Sequence, residues 1–240
     1  MAFGKKLVVT CTVIALSVLG VNAIGSSGIT KSNTGASTNS NVTSASTTST
    51  TQPSKPRTFT VVTSGDLLLH ERTWTQAGKD GRNGQWDFFW QLAPIGPITK
   101  NADLALCHLE TPLAPLGGPH SGYPVFKSQP QIVSAIKRLG FDMCDQTSNH
   151  SFDAGEEGVK RTIKFFDDAG IAHTGTYASP AAAKRPLVMN VATANGNVKV
   201  GVIAFTYGFN GFPYPNGHTW LANQTTYLKV IQAAKACRDA

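Results

Sequence analysis

Three short polar groups in the sequence contain the residue types that bind divalent cations. They are Asp66 with His70, Glu110, and Asn149 with His150. Carboxylate, amide and imidazole groups together suit divalent cations from Mg and Mn to Fe and Zn. Such a cation lowers the pKa of a bound water molecule, and a neighbouring histidine can donate a proton to the leaving group. The residue types therefore predict a metal site with Asp66, Glu110, Asn149 and His70 as candidate ligands and His150 as the candidate catalytic acid.

The segments that precede these groups are predicted strands of an α/β fold. The strands are predicted over residues 58–64, 102–109, 141–145, 171–174, 187–193 and 198–207. The helices are predicted over residues 131–139, 156–169 and 224–238. This alternation indicates a mainly parallel sheet, and Asn195-Gly196 between the last two strands adds an antiparallel hairpin. Because ligands in such folds sit beyond the carboxyl ends of strands, we expect Asp66, Glu110 and Asn149 to lie together.

Two further polar or aromatic features have an ordinary structural interpretation. His108 lies on a predicted strand two residues before Glu110, and we interpret it as a packed polar residue. Four neighbouring aromatic residues are interpreted as core residues, and not as a platform on which a ligand stacks: Trp86, Phe88, Phe89 and Trp90. Neither feature enters the predicted metal site.

Residues 1–23 have the layout of a secretory signal peptide. Lys5 and Lys6 precede an apolar run of about 15 residues, and Ala23 ends a small-x-small cleavage pattern. The run is shorter than the ~20 residues that span a bilayer, so cleavage is favoured over a membrane anchor. We therefore expect an extracytoplasmic protein that is secreted or associated with the cell surface.

Residues 24–57 are rich in Ser and Thr and are predicted to be a disordered linker, which leaves residues 58–240 as the folded domain. Residues 1–57 hold five of the 21 basic residues and no acidic one. The formal charge of +7 therefore falls to +2 for the domain, from 16 basic and 14 acidic residues. Since no basic stripe with interleaved aromatic residues follows, the sequence does not indicate a nucleic-acid partner.

Three cysteines follow the predicted signal peptide: Cys107, Cys144 and Cys237. Cys107 and Cys144 lie at similar depths in strands that we expect to be close, and export permits a disulfide between them. Two buried free thiols are the equally weighted alternative, because neighbouring strands do not guarantee suitable Cβ directions. In either case Cys237 is expected to be unpaired.

Four tracts, in order along the chain, resemble the CapA family of bacterial capsule and poly-γ-glutamate biosynthesis proteins. The tracts are Gly65–His70, Ala102–Leu113, Ser148–Gly175 and Thr206–Asn223. The resemblance implies the four-layer αββα sandwich of calcineurin-like metallophosphoesterases, with two divalent ions drawn from Mn, Fe, Zn and Mg. It makes Asp66 the first-strand ligand, Glu110 the bridging carboxylate, Asn149 a ligand of the second ion and His150 the phosphate-facing acid.

The sequence departs from the pattern of the superfamily in three places. Leu68 fills the third position of the first motif, whose histidine comes later at His70, and Ser151 replaces an acidic residue after Asn149-His150. The family's later strand with His-Trp-Gly-x-Glu and its further histidines have no counterpart before Ala240. We therefore expect a family domain that is truncated at its C-terminus, and a chain that is not a competent enzyme as it stands.

The resemblance implies an exported, metal-dependent hydrolase or transferase that acts on an anionic envelope polymer such as poly-γ-glutamate. Membrane-bound components of the polymer synthase are expected partners. One alternative is a non-catalytic accessory protein of polymer synthesis, export or anchoring, which uses the same fold to bind the polymer. A second, weaker alternative is a truncation product without function.

Overall fold

A computed structural model of the chain describes residues 55–240. The predicted signal peptide (1–23) and most of the predicted linker (24–57) lie outside the described residues. Within the part that the structure describes, every helix is too short or too polar to traverse a bilayer.

Strands and helices alternate through most of this region, as the sequence predicts. The strands are β1 (Val61–Leu67), β2 (Leu104–Leu109), β3 (Met143–Asp145), β4 (Ala172–Thr174), β5 (Leu187–Val191) and β6 (Val198–Val202). The α-helices are α1 (Glu71–Asp80), α2 (Phe89–Leu92), α3 (Gly96–Lys100), α4 (Ile132–Leu139), α5 (Gly155–Ala169) and α6 (Tyr227–Asp239). Single 3-10 turns lie at Ala93–Ile95, Ala182–Lys184 and Pro215–Gly217.

The first four strands form one parallel sheet in the order β1-β2-β3-β4, so their carboxyl ends share one edge. Strands β5 and β6 pair antiparallel, which confirms the hairpin predicted around Asn195-Gly196. Helices α4 and α5 end at Gly140 and Gly170, where φ values of 84° and 64° require the left-handed conformation that glycine adopts easily. The predicted ends of both helices are therefore confirmed.

One face of the parallel sheet packs against helices. Ala105, Cys107 and Leu109 point from β2 into a core that includes Ile136 of α4 and Phe166 of α5. Alternate residues of a strand point to opposite faces, so these three positions mark the helix-covered side. This first layer of helices also contains α1, whose Ala77 is fully buried in the same core.

The opposite face of the parallel sheet packs against the hairpin. Leu104 and Leu106 of β2, together with Met143 of β3, form a second core with Val191 and Val200. Sheet therefore packs on sheet, as in sandwich architectures.

Helix α6 covers the outer face of the hairpin and completes the layer order. Gly201 of β6 lies against Cys237, and a Cβ at position 201 would come within 2.5 Å of the Cβ of Cys237. Only glycine allows this close approach of helix and strand. The order helix, sheet, sheet, helix confirms the predicted αββα sandwich within residues 55–240.

The two strand cysteines are joined, as one of the two sequence-based alternatives proposed. Cys107 and Cys144 are register partners on β2 and β3, with Cα atoms 4.4 Å apart, and form a disulfide. Cys237 is the free cysteine of the described residues and is buried. The disulfide pairing and the unpaired Cys237 are therefore both confirmed.

Two expectations about local structure are wrong. Asp66 does not follow the first strand but lies within it, because a register irregularity between Thr63 and Asp66 lets pairing with β2 continue to Leu67. The core interpretation holds for Phe88, which is 1% exposed, but not for Trp90, which is 59% exposed. Trp90 lies on the single turn of helix α2, on its solvent side.

Candidate metal centre

A row of three titratable side chains crosses the parallel sheet near its carboxyl edge. Strand register pairs Asp66 with His108, and His108 with Asp145. His108 donates from Nδ1 to Asp145 Oδ1 over 2.6 Å, and its Nε2 lies 3.9 Å from Asp66 Oδ1. The row brings one imidazole between two carboxylates from neighbouring strands.

The hydrogen bond to Asp145 fixes the orientation of the His108 ring. With the proton on Nδ1, the neutral ring presents the Nε2 lone pair, which is buried and has no hydrogen-bond partner within the described residues. Burial lowers the pKa of His108, but the hydrogen bond and charge of Asp145 outweigh it, with help from Asp66 and Glu110, so that the pKa is raised. This arrangement is the one in which a carboxylate orients a metal-binding histidine.

Glu110 directly follows β2. It lies two residues after His108 and therefore on the same face of the chain. Its side chain is buried, and Oε2 finds no hydrogen-bond partner among residues 55–240. Burial, and next the negative charge of Asp66, raise the pKa of the Glu110 carboxyl. A carboxylate in this position gains by having a cation beside it.

The loop after β3 is tied to Glu110 and holds the third predicted group. Ser148 donates its hydroxyl to the backbone carbonyl of Glu110, and also accepts the backbone N–H of His150 over 2.9 Å. Asn149 donates to Asn210 Oδ1 over 3.3 Å, while its own Oδ1 is buried with no partner in the described part of the chain. The loop therefore brings an unsatisfied amide oxygen to the same edge.

His150 is paired with a carboxylate of its own. It donates from Nδ1 to Asp153 Oδ2 over 2.7 Å, and this oxygen also accepts the backbone N–H of Phe126 over 2.7 Å. Burial lowers the pKa of His150, but the hydrogen bond and charge of Asp153 outweigh it, so that the pKa is raised. The amide nitrogen of Asn210 lies 3.5 Å from His150 Nε2. A histidine whose pKa is raised by a buried carboxylate is suited to donate a proton.

His70 reaches this region by a different route from the strand residues. It is the exposed N-cap residue of α1, and its ring meets Phe126 edge to face at 5.2 Å. Phe126 meets His150 in the same way at 4.8 Å, so one phenyl ring separates the two imidazoles. The ring of Phe126 therefore stands between His70 and the candidate acid His150.

The donor types at this edge are those that bind divalent cations, but the side chains do not form a preformed metal cage. Among residues 55–240, no group of three or more His, Cys, Asp or Glu side chains stands arranged to hold a metal ion. Three buried lone-pair atoms nevertheless lack partners at this edge: His108 Nε2, Glu110 Oε2 and Asn149 Oδ1. Unpaired buried polar atoms are costly, and a cation would satisfy all three types.

Sequence reasoning missed several residues of this site. His108 is buried, in agreement with its interpretation as a packed polar residue, but that interpretation does not anticipate that its Nε2 faces Asp66. The partners that orient the two imidazoles, Asp145 and Asp153, were not singled out, and neither was Asn210. The i, i+3 spacing of His150 and Asp153 was a usable signal, because it lets a side chain of one turn reach the next.

A basic cavity opens beside the carboxyl end of β4, on the same edge of the sheet. It has a volume of about 390 Å³ and includes Thr174 and Tyr177 in its wall. Each charged side chain in the wall is a cation: Lys184, Arg185 and Lys229. The cavity is therefore suited to an anionic ligand.

The comparisons with known proteins point to one family. The chain matches the family model described as bacterial capsule synthesis protein PGA_cap over residues 60–237. It is 29% identical over 146 residues to the uncharacterized protein y4sH of Sinorhizobium fredii, covering 58% of this chain and 29% of that protein. It is also 29% identical over 121 residues to the capsule biosynthesis protein CapA of Bacillus anthracis, covering 48% of this chain and 28% of CapA.

The chain thus spans less than a third of the length of these two relatives. The family match nevertheless covers nearly all of the described region and contains every residue of the candidate metal centre. The resemblance carried by the tracts from Gly65 to Asn223 is confirmed, and the chain belongs to the family of bacterial capsule synthesis proteins, PGA_cap.

Proposed function

We propose that this chain acts outside the cytoplasm in capsule biosynthesis, through a site that binds a divalent cation and cleaves or transfers an anionic envelope polymer. The single observation that carries the proposal is the set of unpaired buried atoms of His108, Glu110 and Asn149 at one sheet edge. The signal-peptide pattern of residues 1–23 and the Cys107–Cys144 disulfide support export.

The side chains would divide the work between holding a cation and moving a proton. Asp66, Glu110, Asn149 and His108 would hold the cation, with His70 nearby. When bound, a divalent cation supplies a water molecule of lowered pKa and neutralises negative charge on the substrate. His150, whose Nδ1–H is bonded to Asp153, would in its charged form carry a second proton on Nε2 and donate that proton to the leaving group.

An anionic polymer fits the charge pattern beside this site. The cavity at the end of β4 is lined by Lys184, Arg185 and Lys229 and by no acidic side chain. A polymer that carries a carboxylate on every residue, such as poly-γ-glutamate, would place its charges against these cations. Binding of this kind weakens as salt concentration rises.

A non-catalytic role in polymer synthesis, export or anchoring is the second candidate. It is favoured by Leu68 and Ser151, which stand where the wider superfamily has a histidine and an acidic residue. A protein of this type would use the basic cavity to hold the polymer and the cation to bridge polymer carboxylates. Both candidates require cation binding, and they differ in whether a bond is broken.

Manganese binding tests the shared part of the proposal. The full chain is titrated with Mn²⁺ and compared with Glu110→Gln and with the matched control Glu157→Gln, whose carboxylate is 81% exposed on α5. Glu110→Gln should weaken Mn²⁺ binding at least about tenfold, whereas Glu157→Gln should not change it. Absence of Mn²⁺ binding, or equal binding by all three proteins, would contradict a metal site at this edge.

Turnover separates the two candidates. Hydrolysis of a phosphodiester and of poly-γ-glutamate is measured for this chain beside a longer relative, with Mn²⁺ present. Turnover that is lost in His150→Gln supports the enzyme. Stoichiometric Mn²⁺ and retained polymer binding without turnover in either protein supports the accessory role.

A further inference from the structure

A second groove lies between the end of α1, the short helix α2 and the start of α4, and it uses none of the residues of the metal centre. Its volume is about 510 Å³, within the range of about 300–1,000 Å³ that is usual for small-ligand sites. Two tryptophans, Trp86 and Trp90, contribute to its wall together with Gln85 and Gln131. An aromatic wall combined with amide groups is a chemistry that the capsule function does not explain.

The exposed indole of Trp90 packs against a ring that has partners of its own. Phe89 meets it edge to face at 5.4 Å, and the other partner of the Phe89 ring is Arg138, whose guanidinium carbon lies 3.8 Å from the ring centroid. Arg138 is in turn held by Asp87, with Nη1 2.9 Å from Oδ1. The Trp90 side chain is 59% exposed and packs on one side against Phe89, so its remaining surface is free to stack against a flat ligand.

The polar side of the groove has an unsatisfied acceptor. Gln131 donates from Nε2 to Gln85 Oε1 over 3.3 Å, which fixes the direction of its amide. Its Oε1 is buried and has no hydrogen-bond partner within residues 55–240. A ligand that donates a hydrogen bond to this oxygen would remove the cost of leaving it unpaired.

The charges of the groove balance one another. Its charged side chains are Asp80, Asp87, Arg82 and Arg138, two acidic and two basic. The basic cavity beside β4 differs in this respect, since all charged side chains in its wall are basic. The groove therefore suits a ligand without net charge, which separates it from a polyanion site.

We propose that this groove binds a neutral oligosaccharide, with one sugar ring stacked on Trp90 and hydroxyl groups bonded to Gln131 and Gln85. Pyranose rings offer a flat face of C–H groups for the indole, and their hydroxyls both donate and accept hydrogen bonds. A proline-rich peptide also packs on exposed tryptophan, but its proline residues offer Gln131 Oε1 no N–H, whereas every hydroxyl of a sugar ring can donate. The donor requirement favours the sugar.

Calorimetric titration of the full chain with cellohexaose and with chitohexaose tests this inference. The expected result is saturable binding of at least one of them. Trp90→Ala should weaken it about tenfold, which corresponds to about 1.4 kcal/mol. Gln131→Leu should weaken it about threefold to tenfold, since a paired hydrogen bond is lost. Tyr227→Ala is the matched control, because it removes an aromatic ring that is 80% exposed on α6, and it should leave binding unchanged.

Three outcomes would overturn the inference. One is that neither oligosaccharide binds with saturation. Another is that Trp90→Ala binds as the wild type does, with an unchanged thermal midpoint that shows an intact fold. The third is that a proline-rich peptide binds in the groove and a sugar does not displace it, which would assign the groove to a peptide. Failure here leaves the Mn²⁺ result untouched, because no residue is shared between the two sites.

Discussion

His108 and His150 each donate the Nδ1 proton to a buried aspartate, but the two pairs are built from different parts of the chain. His108 and Asp145 lie on neighbouring strands, 37 residues apart, whereas His150 and Asp153 lie three residues apart on one loop. The first ring is locked inside the sheet, with its Nε2 toward Asp66. The second ring lies between Phe126 and the Asn210 amide.

The comparison shows that the same type of hydrogen bond, from histidine Nδ1 to an aspartate, supports two kinds of chemistry. Asp145 directs a buried lone pair of His108 toward neighbouring carboxylates, which suits a ligand. Asp153 raises the pKa of a histidine at the rim of the same edge, which suits a proton donor. The surroundings of Nε2, and not the carboxylate on Nδ1, distinguish the two roles.

The largest expected effect comes from the disulfide, since Cys107 and Cys144 directly precede His108 and Asp145. Replacing both cysteines with alanine removes a cross-link between residues 37 apart and should lower the free energy of unfolding by about 4 kcal/mol. Urea denaturation measures this loss. In this variant the pKa of His108 should fall toward its ordinary value more than the pKa of His150 does, because the cross-link holds only the His108–Asp145 pair. A loss below about 1 kcal/mol would contradict this role of the disulfide.

The second prediction compares the two aspartates directly. Asp145→Asn should weaken Mn²⁺ binding about 10-fold to 100-fold, because the amide no longer orients His108 as a ligand. Asp153→Asn should leave the Mn²⁺ affinity nearly unchanged. Titration of both variants under the same conditions measures the contrast, and equal losses would show that the two pairs do not have separate roles.

The third prediction concerns the pH dependence of the His150 pair. The pKa of His150 is raised above the ordinary 6.5 in the folded protein, so the pair stabilises the fold fully below the unfolded value. That stabilisation is lost as the pH rises through the folded pKa. The difference in thermal midpoint between wild type and Asp153→Asn should therefore be largest below pH 6.5 and should shrink above it.

A matched variant for this experiment is Asp167→Asn. It breaks the contact between His173 and Asp167, whose carboxylate is 64% exposed, with an Nε2 to Oδ1 distance of 3.1 Å. Solvent screens such a contact, so this variant should differ little from wild type at any pH. A pH dependence as strong as that of Asp153→Asn would mean that burial of the pair is not what matters.

The smallest expected effect comes from Glu156, at the start of α5. Lys160, Asn216 and His218 hydrogen-bond to this carboxylate and lower its pKa to about 2. A lowered pKa gives stability that is present above the ordinary 4.5 and is lost as the pH falls toward 2. Glu156→Gln should therefore lower the thermal midpoint slightly at neutral pH and not at all near pH 2.

The helices and strands could be predicted from the sequence because the patterns that indicate them are local. Apolar periodicity and a terminal glycine define α4 and α5, and Asn195-Gly196 defines the hairpin. The site followed only in part. The partner of His108 depends on the register between β2 and β3, which is a tertiary property with no sequence signature. The exposure of Trp90 depends on which side of α2 faces the core, and a run of neighbouring aromatic residues does not indicate that side.

The contact between Gly201 and Cys237 makes the Cys237 thiol a probe of local opening at the outer helix, α6. Cys237 is the buried residue of α6, whereas Tyr227 and Leu228 of the same helix are exposed, so this layer is attached by little apolar surface. Cys237 also lines the basic cavity at the end of β4, so a thiol reagent that enters this cavity approaches its sulfur from that side. The ratio of the labelling rate in the native protein to that in the unfolded chain therefore reports local access at the cavity and the helix beside it, separately from global unfolding.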